Sequence, residues 1–441
     1  MSQSEDGAAD RYVLQCYACG RTYRDDGVML HCPHAHEPSF LHTVYRQREF
    51  AVDVTATGIL RYAAWMPLRS PIRDVPHTVV FRDRKLNAFL RTSNVWIAFN
   101  GHWPERGALL PTATFKDLEA VGIVGRFPRD GRTLVTASAG NTAAALAQAC
   151  AAYGLAATIV APEPAIASLR FDRPPSACVR FVAVSGDSTY DDAIALAKRL
   201  AAENDALVFE GGASNVARRD AIASTLLAAV ERLGQLPDYY VQAVGSGAGA
   251  IAAHEAARRL LADRRYGSRL PRLMLVQNAP STPIYDAWKA RASSHERADA
   301  ETERAQSRSI AATVLGTRTP PFAVAGGLRS ILTESAGDVA AVSNEGTLEA
   351  SRAFEELVGI DVEPAGAVAL AGLAQMLDAG AIDREATIVL HVTGGGRRGR
   401  NVRLRYGVER AIVVDRHDAV ARVLPVTLSA ASAASVVEGQ R

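Results

Sequence analysis

The sequence predicts an α/β fold built on parallel sheet, and three observations carry that expectation. Short β-rich runs alternate with Ala-rich helical stretches through most of the 441 residues. The turns from strand to helix are made of small residues and glycines. Two further β-rich runs, Thr78–Phe81 and Asn94–Ala98, come early in the chain. Strand, helix, strand at this spacing indicates right-handed crossovers, and such sheets place ligands at the carboxyl ends of their strands.

In chain order, Thr133–Thr136 reads as a strand before a helix near 141–153, and Ala157–Val160 follows it. Val179–Val184 precedes a helix near 189–203, and Leu207–Phe209 precedes one near 216–233. Tyr239–Val244 leads through GSGAGA into a helix near 249–263, followed by Leu273–Gln277. A helix at about 365–379 leads to Thr387–Val392. Residues 291–309 are highly charged and lack large apolar side chains, so an exposed helix or a mobile connection is expected. The expected domains are a disordered start (1–13), a zinc-ribbon-like element (14–40), a catalytic domain (41–425) with a smaller lobe near 130–235, and a flexible tail (426–441).

Composition narrows the class. Apolar residues make up 48% and charged residues 22%, the mix of a globular protein with a real core. A formal charge of +2 gives no reason to expect nucleic acid or an anionic membrane as partner. The most apolar stretch, Ala143–Ala161, is broken by Gln148, Tyr153 and Gly154 and reads as a helix, a turn and a strand. The start, MSQSEDGAAD, is acidic and polar, unlike a signal peptide, and five cysteines with three bunched together argue for a reducing compartment. A cytoplasmic location is expected. Cys150 and Cys178 read as small core residues.

Lys116 stands among small and hydroxyl residues in Pro111-Thr112-Ala113-Thr114-Phe115-Lys116-Asp117, entering a helix. Burial and the positive helix end both disfavour its ammonium, which leaves the free amine that Schiff-base chemistry needs. Alone, the segment reads more readily as a solvent-facing lysine. Two others change that. Thr136-Ala137-Ser138-Ala139-Gly140-Asn141-Thr142 opens a helix with small residues and free N–H groups suited to a carboxylate. Gly245-Ser246-Gly247-Ala248-Gly249, between a strand and a helix, suits a phosphate, although dinucleotide-binding turns look similar.

P-T-A-T-F-K-D resembles the P-T-G-S-F-K-D segment of threonine synthases, and SAGNTAAALA resembles their S-x-G-N-T/S-x-x-A segment. The order lysine, asparagine, Gly-rich turn, then Thr393-Gly394-Gly395-Gly396 is that of fold type II pyridoxal phosphate enzymes, the tryptophan synthase β-like fold of two lobes. The resemblance spans roughly residues 14–410. It implies that Lys116 carries pyridoxal 5'-phosphate as a Schiff base and removes the Cα proton. It further implies that Asn141 contacts the pyridine 3'-oxygen, that Gly245–Gly249 holds the phosphate, and that Thr393 meets the pyridine nitrogen. An uncharged hydroxyl there favours elimination and replacement at the β-carbon. Ser138, Ala139, Gly140 and Thr142 would bind the substrate carboxylate.

Within that group, Asn215-Val216-Ala217-Arg218-Arg219-Asp220 and the T-G-G-G run followed by Arg397 and Arg398 resemble cysteate synthases. That subgroup replaces the phosphate of O-phospho-L-serine with sulfite. Both reactants are anions, which makes Arg218 the candidate for contact with the anionic end and Arg219 the weaker one. Ala113, Thr114 and Leu118 depart from the threonine synthase pattern and leave the substrate open. The alternatives are threonine synthase itself, another nucleophile on phosphoserine, and a non-catalytic or nucleotide-binding α/β protein. A homo-oligomer is common in this group.

Cys16-x-x-Cys19-Gly, then Cys32 and the nearby His34 and His36, could hold zinc, with His34 taken as the fourth ligand. Cys32-Pro33-His34 spaces its ligands too closely for a typical knuckle, and related chains carry such pairs as remnants. The expectation leans toward no zinc.

Overall fold

Two parallel sheets carry the chain in the computed structural model, which describes residues 11–415 apart from 74, 76, 139, 296–298 and 402. The larger sheet runs β14-β13-β12-β15-β5-β4, with β4 (Val79–Phe81) the antiparallel edge beside β5 (Val95–Phe99). Its remaining strands, β12 (Tyr239–Ala243), β13 (Arg272–Asn278), β14 (Asp338–Val342) and β15 (Ile388–Val392), are parallel. The smaller sheet runs β11-β8-β9-β10-β16. It joins β8 (Thr133–Ala137), β9 (Ala157–Pro162), β10 (Val179–Val184) and β11 (Leu207–Phe209) to β16 (Ile412–Val414). A short hairpin, β6 (His102–Trp103) and β7 (Ala108–Leu109), precedes the Lys116 segment.

The strand sequences explain this layering. TLVTA, YYVQA and IVLHV are buried at every position, as strands covered on both faces must be. Helices cover them at the expected places: Asn141–Ala152, Tyr190–Ala202, Val216–Leu233, Ala248–Asp263 and Pro364–Asp378.

The first sheet is of another kind. β1 (Tyr12–Cys16), β2 (Thr22–Tyr23) and β3 (Leu41–Tyr45) are antiparallel, and β1 and β3 alternate buried with half-buried positions. Their buried face lies on the Val216–Leu233 helix, where Thr43 Oγ1 and Tyr45 OH donate to Asp220 Oδ2 at 2.6 and 2.7 Å.

Two boundaries differ from expectation. Residues 12 and 13, placed in the disordered start, belong to β1, because Tyr12 buries its ring and donates to Asp25 at 2.6 Å. The smaller sheet is completed by β16, so that lobe is not contiguous in sequence. Within the charged stretch, Ala300–Ser309 forms a helix, one of its two expected forms, with Asp299 capping the first N–H groups. Residues 1–10 and the tail 426–441 lie outside the described residues. Among the described residues, no helix is long and apolar enough to cross a membrane.

Candidate active site

The segment that delivers Lys116 is held by pairing with the TGGG run. Phe115 N donates to Thr393 O at 3.0 Å, and Gly395 N donates to Ala113 O at 3.1 Å. Ala113 is buried at φ 57°, a left-handed conformation that a glycine would adopt without penalty, which explains the glycine of the resembling segment. Thr112 N and Oγ1 donate to the buried Asp117 at 2.8 and 3.0 Å, locking the loop to the helix it precedes. Lys116 is the first residue of the helix Lys116–Arg126.

The Lys116 side chain keeps 23% of its surface open. Its Nζ donates to Glu119 Oε1 at 2.6 Å. The opposite oxygen of Glu119 accepts from Arg218 Nη1, and Arg218 Nε donates to Glu210 Oε1 at 2.9 Å. Burial lowers the Lys116 pKa; Glu119 opposes that shift and Arg218 adds to it. The buried His391 lies behind, its ring nitrogens 2.8 Å from Asn100 Nδ2 and from Tyr240 OH. Burial and then the lysine charge hold His391 down to about 3, so it is neutral at physiological pH.

A cleft of about 910 Å³ opens over Lys116. It gathers Ser138, Asn141 and Thr142 from the second expected segment, all five residues of Gly245–Gly249, and Thr393. Gly140 precedes Asn141 at φ 116°, and Ala139 lies outside the described residues. The Gly245–Gly249 turn ends β12 and opens the helix Ala248–Asp263, whose first N–H groups have no partner within the helix. Thr393 Oγ1 is buried with no hydrogen-bond partner, and so is Gln242 Oε1 beneath the turn.

Asn141 Nδ2 lies 3.4 Å from both carboxylate oxygens of Glu363, and Arg397 donates to Asn141 Oδ1 and, at 2.5 Å, to Glu363. Burial raises the Glu363 carboxyl despite that guanidinium. Arg218 reaches the cleft wall but is committed to Glu119 and Glu210, and Arg219 is fully buried against Glu255, away from the cleft.

Several groups escaped the sequence reading. Glu119 carried a local signal, three residues beyond Lys116 on one helix. Glu363 meets Asn141 only across the fold, and Glu210 meets Arg218 through the turn before its helix. Arg304 and Arg308 line the cleft from the charged stretch read as an exposed helix or connection, joined by Lys198 and Arg318. Their grouping as four cations facing one cleft is a property of the fold alone.

The cysteine cluster also differs in its fourth member. Cys16, Cys19 and Cys32 gather with His36, not with His34. His34 turns outward, 2.7 Å from Arg21 Nη1.

Comparison with known proteins shows the family. The pyridoxal-phosphate dependent enzyme family matches residues 102–394. A cysteate synthase of Methanosarcina acetivorans is 37% identical over 411 residues, covering 92% of this chain and 98% of its own. One of Methanosphaerula palustris is 41% identical over 389 residues, covering 87% and 90%. Among solved structures, maize serine racemase superposes with a TM-score of 0.55 at 17% identity, over 72% of this chain and 88% of that one. Escherichia coli threonine synthase gives 0.54 at 18% identity, over 76% and 78%.

Proposed function

This chain belongs to the pyridoxal-phosphate-dependent enzyme family and to its cysteate synthase branch, and from that premise we propose that it replaces the phosphate of O-phospho-L-serine with sulfite, forming L-cysteate. The similarity to cysteate synthases over nearly the whole chain carries this reading.

The cleft fits pyridoxal phosphate. The unpartnered, buried Thr393 hydroxyl suits an acceptor such as the ring nitrogen, and a carboxylate is absent from that position. The Gly245–Gly249 turn supplies backbone N–H groups and a helix start to a phosphate. Lys116 supplies the amine, with its ammonium disfavoured by burial. When bound, the cofactor acts as an electron sink for the amino acid joined to it. Asn141 would face the 3'-oxygen, and Ser138, Gly140 and Thr142, with Ala139, the substrate carboxylate.

Lys116 Nζ, once freed by the incoming amino acid, takes the Cα proton and later returns it. Glu119 steadies the resulting ammonium at 2.6 Å. The C–O bond to phosphate breaks and a C–S bond from sulfite takes its place, so no oxidant or reductant is required. The anionic leaving group and nucleophile meet the cations of Lys198, Arg304 and Arg308 on the cleft wall, beside Arg318, which pairs with Asp191. Arg218, already held by two carboxylates, acts on substrate only through Glu119.

Phosphoserine with sulfite is expected to release phosphate and yield cysteate, while phosphohomoserine yields no threonine. Phosphate released from phosphohomoserine alone would make the chain a threonine synthase instead. Thiols and amines in place of sulfite test the choice of nucleophile.

Gly247→Ala tests the phosphate turn. Gly247 has φ 76°, and a Cβ there would lie 2.4 Å from Leu328 Cδ2. A left-handed alanine alone costs about 1–2 kcal/mol, so cofactor affinity in a titration should fall roughly fivefold to thirtyfold. Unchanged affinity would remove the turn from cofactor binding.

A further inference from the structure

We propose that Cys16, Cys19, Cys32 and His36 bind one structural zinc ion, and that this ion holds in place the loop forming one wall of the cleft. The four ligand atoms lie within 4.8 Å of one another. Cys16 Sγ is 3.3 Å from His36 Nε2, and Cys19 Sγ is 3.7 Å from Cys32 Sγ. Zn–S bonds of about 2.3 Å and Zn–N bonds of about 2.0 Å, set tetrahedrally, require edges of roughly 3.5–3.8 Å. The Cys19–Cys32 distance is far beyond the ~2.05 Å of a disulfide, and all five cysteines are free.

The backbone is already shaped for this. Cys16 N donates to Arg21 O and Gly20 N to Cys16 O, both at 3.0 Å, and Gly20 takes φ 70°. That tight turn sets Cys16 and Cys19 on one side. The objection raised by Cys32-Pro33-His34 falls away, because His36 gives a C-x3-H pair, within the range of zinc ligand spacings. His36 Nδ1 lies 2.6 Å from Glu37 O. A carbonyl can only accept, so Nδ1 carries the proton and Nε2 can offer its lone pair to the metal. Tyr23 OH, 3.1 Å from Cys32 Sγ, can donate to a thiolate. Four protein ligands close the shell, which makes the site structural rather than catalytic.

The consequence for the cleft lies in residues 24–40, which carry no helix or strand beyond one isolated bridge, Ser39 to Ala325. Leu30 in this loop packs so closely on Gly211 that a Cβ there would lie 2.4 Å from Leu30 Cδ2. The next residue, His31, lines the cleft together with Gly211. A metal joining Cys32 and His36 to the β1 turn anchors that wall from behind.

Elemental analysis of the purified full chain is expected to give about one zinc per chain. Cys19→Ser and His36→Ala should cut that content severalfold, and His34→Ala should leave it intact. Reduced, metal-free chain titrated with Co(II) should show thiolate charge-transfer and tetrahedral d–d bands, a readout independent of the variants' folding. Chelation should speed proteolytic cutting within residues 20–40. Absence of both zinc and the cobalt bands, or loss of zinc in His34→Ala but not in His36→Ala, would overturn the site. Unchanged proteolysis after verified zinc removal would overturn its role in holding the wall.

Discussion

Lys116→Ala is expected to abolish the visible absorption band of the lysine-bound cofactor and to slow phosphate release from phosphoserine by at least about 10³-fold. The magnitude follows from losing a covalent attachment point and a general base worth about 10²–10⁴ in rate at the same atom. The thermal midpoint should change little. Glu119, the partner of Lys116, keeps its ion pair with Arg218 when the lysine is gone, so no buried carboxylate is stranded. A folded variant without the band separates chemistry from stability. A variant that keeps both the band and the rate would remove Lys116 from the reaction.

How much of this site could be read from sequence depends on how local each signal is. Lys116, Asn141, the Gly245–Gly249 turn and Thr393 each sit at a strand-to-helix junction or beside one, where small residues and helix starts mark themselves in the sequence. Their meeting in one cleft follows from parallel topology, which sends the carboxyl ends of strands to the same edge. Ala113 shows a finer limit. Its departure from glycine looked like a substrate difference, whereas its positive φ makes it a question of backbone strain.

The parts that stayed hidden are those created by packing between distant segments. Glu119 and Glu210 become a pair only because the Lys116 and Val216 helices pack together and share Arg218. His36 replaced His34 because the loop turns one imidazole inward and the other toward Arg21. Spacing alone could not choose between two histidines so close together. The charged stretch at 291–309 does hold an exposed helix, one of its two expected forms, but lack of apolar residues signals exposure alone and gives no sign that the helix borders a cleft.

Arg218 gives the sharpest test of what packing added. Read as a sequence, it was the candidate for meeting the substrate's anion; in the fold it neutralises Glu119 and Glu210, with 8% of its side chain exposed. Arg218→Met should strand the buried Glu210, leave Glu119 with Lys116 as its one cation, and cost about 3–5 kcal/mol in denaturant unfolding. Arg218→Met combined with Glu210→Gln should recover part of that loss, since Glu119 still has Lys116. The same change bears on the base. Arg218 lowers the Lys116 pKa and Glu119 raises it, so removing the guanidinium favours the ammonium. The rising limb of kcat against pH, which reports loss of the proton from Lys116 during turnover, should therefore move to higher pH in Arg218→Met. It should move by less in the double variant, where loss of the Glu210 charge that raises this pKa works the other way. An Arg218 that met the substrate directly would behave otherwise: the KM for phosphoserine would climb at least about tenfold, with stability and the kcat limb unmoved. Those two patterns share no outcome, so one set of melts and pH profiles decides whether this arginine acts on the anion or on the lysine behind it.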